Sequence, residues 1–232
     1  MEGSDPEHPS LTKAPEILKT YRFSNPPSRH VDAIPDAPPH ETPSCAGDER
    51  LVPVSEIVGV AFPSSEVCEA LVQSYLDSMH WYLTVVDEDS LRARLEPIFR
   101  TGLADARRKP LVMLGLIVLV IGIDFLVDKD SVSHLVDLTH TKKVLAEAAQ
   151  KEYLSAMEQP TVDSVAFSFL LAGYYLCARQ PNLFAITMDA TMNTAQDIGL
   201  HQESTWGAMG FVERQFRRHI WWSVFTGSTY VP

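Results

Sequence analysis

The sequence predicts an all-α fold, an irregular multi-helix bundle behind a Pro-rich N-terminal lead predicted to be disordered. Three observations carry this. Apolar residues recur at spacings of three and four through most of the chain after residue 63, which is the helical period. Leu111 to Ile123 runs thirteen residues without a charge, which is too long for an ordinary buried strand. No segment alternates apolar and polar residues for long enough to make an antiparallel sheet.

The lead comes first. Residues 1–63 hold eleven of the sixteen prolines and few residues able to anchor a core. Pro26-Pro27, Pro35, Pro38-Pro39 and Pro43 forbid continuous helix and favour solvated, extended backbone. A short ordered piece is expected near Leu51 to Val60. The helical domain is then expected over 64–232. A net charge of −11 argues against this chain itself gripping a phosphate backbone, which takes clustered Lys and Arg. The acidic start Met1-Glu-Gly-Ser-Asp-Pro6 is not of signal-peptide type, and the thirteen-residue apolar run is too short to span a bilayer. Cys45, Cys68 and Cys177 are odd in number and far apart, so they read as free thiols in a reducing compartment.

Within the body, Ser64 or Ser65 caps a first helix whose face is Val67, Leu71, Tyr75, Met79 and Tyr82. Asp87 or Asp89 caps the next, with Leu91, Leu95 and Phe99 inward; Pro97 is expected to kink or end it, and Gly102 to stop it. Leu111 to Val127 is apolar on nearly all sides and is expected at the centre of the bundle. An amphipathic helix is expected from about Ser131 to Tyr153, with Leu135, Leu138, Leu145, Ala148 and Ala149 inward. Thr161 or Asp163 caps the following one, whose face is Val165, Phe169, Ala172, Leu176 and Cys177. Asn182 caps a helix from Leu183 to Ile198. Gly199 is placed as its left-handed C-cap, with Leu200 packing back on the last turn.

Candidate chemistry is sparse. Asp87-Glu88-Asp89 is a local acidic cluster able to hold magnesium in an all-α enzyme, or simply to suit a helix N-terminus. His80, His134, His140 and His201 do not fall at spacings that gather a metal. The nucleophile elbow, the phosphate-binding glycine loop and the zinc-protease motif are not found in the sequence.

The last helix is the most distinctive. Val212, Phe216, Ile220 and Val224 recur every four residues, and Trp221 and Phe225 widen that side. Arg214, Arg217 and Arg218 form a cationic side, expected to pair with Glu213 or with carboxylates of a neighbouring helix. Trp221 and Trp222 point about 100° apart on a helix. Both are interior only if helices flank this one on two sides, and core packing is the expectation.

The same stretch, Glu213-Arg-Gln-Phe-Arg-Arg-His-Ile-Trp-Trp-Ser-Val-Phe225, resembles the Glu…Arg-Arg-x-x-Trp-Trp helix of the fungal-specific transcription factor domain, the middle homology region of zinc binuclear-cluster regulators. Ala195-Gln-Asp-Ile-Gly-Leu-His-Gln-Glu203 resembles that family's Ala-x-x-Leu-Gly-Leu-His-x-(Asp/Glu) turn. Tyr75 to Leu91 resembles its opening helix. The resemblance implies a transcription-regulatory domain, non-catalytic and nuclear, or alternatively cytoplasmic. It points to Gly199, His201, Glu213, Arg217, Arg218, Trp221 and Trp222 as structural or interaction residues, with no catalytic, cofactor or metal site. It implies partners in the transcription machinery or a full-length relative, and a small-molecule effector. The family's DNA-binding module holds zinc on six closely spaced cysteines. Here Cys-x-x-Cys is absent, so neither zinc nor direct DNA contact is expected of this chain. The family's Asp-Arg pair after the tryptophan helix is also missing, since Thr226-Gly-Ser-Thr-Tyr-Val-Pro232 follows Phe225. A domain incomplete at its C-terminus is therefore expected, with uncovered apolar surface and a tendency to self-associate. The competing readings are an all-α enzyme of secondary metabolism using Asp87, Glu88 or Asp89, and a helical protein-interaction adaptor.

Overall fold

The computed structural model describes residues 50–80, 85–127, 132 and 135–229. The Pro-rich stretch before Arg50, and with it Cys45, lies outside the described residues, as do Trp81, Tyr82 and His134.

The body begins earlier than Ser64. β1 (Leu51–Pro53) runs into α1 (Val54–Val58), which ends at Gly59 with φ 79°. Val54 and Val58 are both buried, so this piece belongs to the core although its sequence reads as lead. It is followed by α2 (Ser65–Tyr75), a π-helical turn (Leu76–His80) and α3 (Glu88–Thr101). β2 (Leu103–Asp105) then pairs antiparallel with β1, with Leu51 opposite Asp105 and Pro53 opposite Leu103. This small ribbon is a minor addition to a fold that is all-α, as expected. Three-residue strands alternate too few times to show a two-residue period. The remaining elements are α4 (Lys109–Phe125), α5 (Leu138–Lys151), α6 (Tyr153–Met157), α7 (Val162–Cys177), α8 (Pro181–Asp197) and α9 (Phe211–Thr229). The fold is all-α apart from the ribbon, and no helix among the described residues is long and apolar enough to cross a membrane.

Local rules place most of these ends. Asp87 caps α3, accepting the Ser90 N–H at 2.9 Å. Thr161 caps α7 and forms a capping box with Ser164. Gly199 takes φ 72°, and the Leu200 N–H donates to the Ala195 carbonyl at 2.9 Å as Leu200 is buried beneath the last turn of α8. α8 itself starts two residues earlier than expected, at Pro181 rather than Leu183, with Gln180 rather than Asn182 at its N-cap position.

Of the two outcomes expected at Pro97, α3 does not end there; Pro97 and Ala93 are both exposed, so the carbonyl that loses its partner is not sealed in the core. Two expectations give way. The helix expected from Ser131 begins instead at Leu138, where Asp137 accepts the Thr139 and His140 N–H groups, and Leu135 is left exposed ahead of it. Leu176 and Cys177, expected on the inner face of α7, are exposed at its end.

α4 is the hub. Every residue from Pro110 to Ile123 is buried, and α2, α5 and α7 pack around it. Gly122 permits the tightest of these approaches. A Cβ there would lie 2.2 Å from the Leu71 carbonyl oxygen of α2, and Ser74 donates to the Gly122 carbonyl at 2.9 Å across the same seam. On the far side of α7, α8 packs against it, and α9 packs against α8.

Candidate functional site

α9 anchors through Ile220 and Val224, its two buried residues. Gly227 lets it close on α7 and α8, since a Cβ there would meet Met188 Cε at 2.9 Å and Phe169 Cε2 at 3.0 Å. Phe216 and Trp221 are half-buried. Trp222 is 59% exposed, and its ring stands edge-on to that of Phe225, which is 42% exposed. The expectation that both indoles are interior is therefore corrected. Two neighbouring positions on a helix diverge by about 100°. Among the described residues α9 packs chiefly on α8 and also on α7, and that packing leaves Trp222 exposed.

The two stretches that suggested the family meet in space. The turn after α8 carries Gly199, His201 and Glu203, and it lies against the first turns of α9. Arg218 Nε donates to Glu203 Oε2 at 2.8 Å, and Arg218 Nη2 contacts Glu203 Oε1 as well. Arg214 Nη1 donates to Glu203 Oε1 at 3.2 Å. The Arg218 hydrogen bond, helped by that from Arg214, holds the Glu203 carboxyl below its ordinary range, and Glu203 in turn raises the Arg218 guanidinium. His201 stacks obliquely on Trp221 with ring centroids 5.7 Å apart. Trp206 Nε1 donates to the Gly199 carbonyl at 2.9 Å and closes the turn on itself. Arg217 pairs instead with Glu213, one helical turn back, at 3.1 Å. Pairing with Glu213 was expected. The Glu203 clamp and Trp206 were not, although Glu203 closes the quoted turn motif and its acidic character was the signal available.

Next to this junction lies a cleft of about 800 Å³. The start of α3 contributes Asp87, Ser90 and Arg94 to it, and α7 contributes Val162 and Asp163. Its other wall is the end of α8, at Ile198, and the start of α9, from Gly210 to Arg217. Arg94 donates to both Asp163 carboxylate oxygens, at 2.7 and 2.8 Å. The Nε of Arg217 is buried with no hydrogen-bond partner among the described residues.

The acidic cluster does not converge on this space. Asp87 lines the cleft but spends its carboxylate on the α3 cap, while Glu88 and Asp89 are exposed and Glu88 pairs with Arg92 at 3.1 Å. Among the described residues no three His, Cys, Asp or Glu side chains gather as a metal group. His140 is exposed at the start of α5. Burial pushes the Cys68 thiol up to about 12, and it donates to the Pro63 carbonyl at 3.5 Å. Cys68 is thus buried on α2 while Cys177 stands exposed on another helix, and both are free thiols.

Comparison with known proteins agrees with the geometry. The fungal specific transcription factor domain family matches residues 72–230. The transcription factor macR of Penicillium terrestre is 30% identical over 67 residues, which is 29% of this chain and 8% of that protein. The transcription factor yanR of Aspergillus niger is 30% identical over 69 residues, again 29% of this chain and 8% of that protein. The match thus spans less than a tenth of the length of either relative. No solved structure matches the chain. With the family's Gly-Leu-His turn and its Arg-Arg-x-x-Trp-Trp helix joined through Glu203 and Arg218, this chain belongs to the fungal specific transcription factor domain family and carries a transcription-regulatory domain of that kind.

Proposed function

We propose that this chain acts as a non-catalytic regulatory module of transcription in the nucleus, working through protein contacts. The observation that carries the reading is the family match over residues 72–230, which includes the clamped junction of α9. The relatives named above are transcription factors, and the scattered carboxylates of Asp87, Glu88 and Asp89 offer no shared pocket for an enzyme's metal. The net charge of −11 favours protein contacts over nucleic acid. The exposed Trp222 and Phe225 on α9 give such contacts an aromatic surface, whether the partner is part of the transcription machinery, a full-length relative or a second copy of the chain.

The test is tethering. The full chain is fused to an unrelated DNA-binding domain and placed upstream of a reporter in a fungal host. Reporter output should change at least about fivefold, in either direction, and the change should vanish when Ile220→Asp unfolds the α9 packing. Output equal to that of the DNA-binding domain alone, with the fusion present at normal level, would overturn the reading.

A further inference from the structure

We propose that the cleft between the start of α3, the start of α7 and the first turns of α9 binds an uncharged, largely apolar small molecule carrying a hydrogen-bond acceptor. Its volume of about 800 Å³ lies in the range of ligand pockets, about 300–1,000 Å³. The lining decides the class. Pro160, Val162, Ile198, Val212 and Phe216 supply apolar wall from three separate elements. Four of the five charged groups there are already paired, and the fifth is committed to a cap. Arg94 Nη1 donates to both oxygens of Asp163, Arg217 is paired with Glu213, and Asp87 holds the α3 cap. An anion would face three carboxylates against two guanidiniums. A cation would have to draw Asp163 or Glu213 from its arginine, leaving a half-buried charge unpaired, or draw Asp87 from the α3 cap. A neutral molecule disturbs none of these pairs. Ser90 and Arg217 both line the cleft, and a hydroxyl and a guanidinium can each donate to a carbonyl or ether oxygen. Val212 is 66% exposed at the lip, apolar surface that a ligand would cover.

The site deepens the regulatory reading, since occupancy would bear on Arg217, one residue from the Arg218 that holds the turn after α8. Binding is tested apart from regulation. The full chain is titrated with Nile red, a neutral apolar dye bearing a carbonyl. The expected result is saturable binding at one site per chain with a blue-shifted emission. Val212→Trp, which fills the mouth from an exposed position, should weaken it about tenfold or more at an unchanged thermal midpoint. Trp222→Ala, on the other exposed apolar surface, should leave affinity within about twofold. The anionic dye anilinonaphthalene sulfonate should bind about tenfold more weakly than Nile red. Non-saturable Nile red binding, indifference to Val212→Trp, loss in Trp222→Ala, or equal affinity for the anionic dye would each overturn the proposal. A dye-binding chain with a silent reporter would dispose of the regulatory reading alone. A working reporter with no dye binding would dispose of the cleft alone.

Discussion

Helices α4 and α9 are both dense in large apolar residues, yet they end in different surroundings. α4 is buried on every side, from Pro110 to Ile123. α9 buries Ile220 and Val224, keeps Phe216 and Trp221 half-covered, and turns Trp222 outward. Part of the difference lies in composition, since α4 is apolar on nearly all sides whereas α9 carries Glu213, Arg214, Arg217 and Arg218 among its apolar residues. The rest lies in how many neighbours the chain brings to each. α2, α5 and α7 surround α4, whereas α7 and α8 back α9 from one side. A central helix has no face to spare, so each of its small residues is a contact. A peripheral helix can carry an aromatic residue that the fold does not use, and such a residue is available for a partner.

The glycines make the sharpest test of this contrast. Gly122→Ala puts a methyl group against the Leu71 backbone, which cannot swing aside without moving α2. It should cost about 3 kcal/mol or more, at the upper end of overpacking penalties. Gly227→Ala meets only the ends of the Met188 and Phe169 side chains, which can rotate away. About 1 kcal/mol is expected there. Chemical denaturation of the two variants measures both. Equal losses would mean that α9 is as tightly enclosed as α4.

The next test stays within α9. Ile220→Ala removes a fully buried side chain and should cost about 2–3 kcal/mol, the lower part of the usual range because a one-sided helix can settle inward. Trp222→Ala removes a larger side chain but should cost about 1 kcal/mol or less, since most of its ring is in solvent. A Trp222 loss exceeding that of Ile220 would show that the indole is covered in solution, for instance by a second copy, and sizing of the unmodified chain would then show the assembly.

The same contrast explains what was legible in the sequence. The Asp87 and Thr161 caps, the left-handed Gly199 and the central place of α4 follow from local rules, which act over one or two turns and are written in consecutive residues. Pro97 left two outcomes open because its effect depends on which way Ala93 faces, a tertiary fact. The ordered piece expected near Leu51 to Val60 is present, but its strand and single helical turn were not legible, because a prolyl context hides them and burial of Val54 and Val58 is what holds them. Trp222 misled for the same reason on a larger scale, as residue spacing tells which side of a helix is apolar and not whether anything lies against it. The cleft was invisible, and the Glu203 clamp was signalled only by an acidic residue at the end of the turn motif, because each joins elements whose adjacency no local pattern encodes. Arg94 and Asp163 are far apart in sequence, yet they form one bidentate pair.

The smallest expected effect concerns that clamp, and pH separates it from the packing effects above. The Arg218 hydrogen bond, with Arg214, lowers the Glu203 pKa in the folded chain below its ordinary value of 4.5. A depressed carboxyl pKa means that the unfolded chain binds the proton more readily. The contribution is therefore complete above about pH 4.5 and fades as pH falls through the lower folded-state value. Glu203→Gln should lower stability slightly at pH 7, by less than Trp222→Ala, because the pair is partly exposed and screened by water. Below pH 4.5 the difference between the variant and the unmodified chain should shrink, whereas the Ile220→Ala difference should persist. Thermal midpoints followed from pH 7 to pH 3.5 give both curves. A Glu203→Gln deficit that stayed constant through that window would mean that the side chain acts by shape, and that Arg214 and Arg218 do not hold α9 to the turn after α8 by charge.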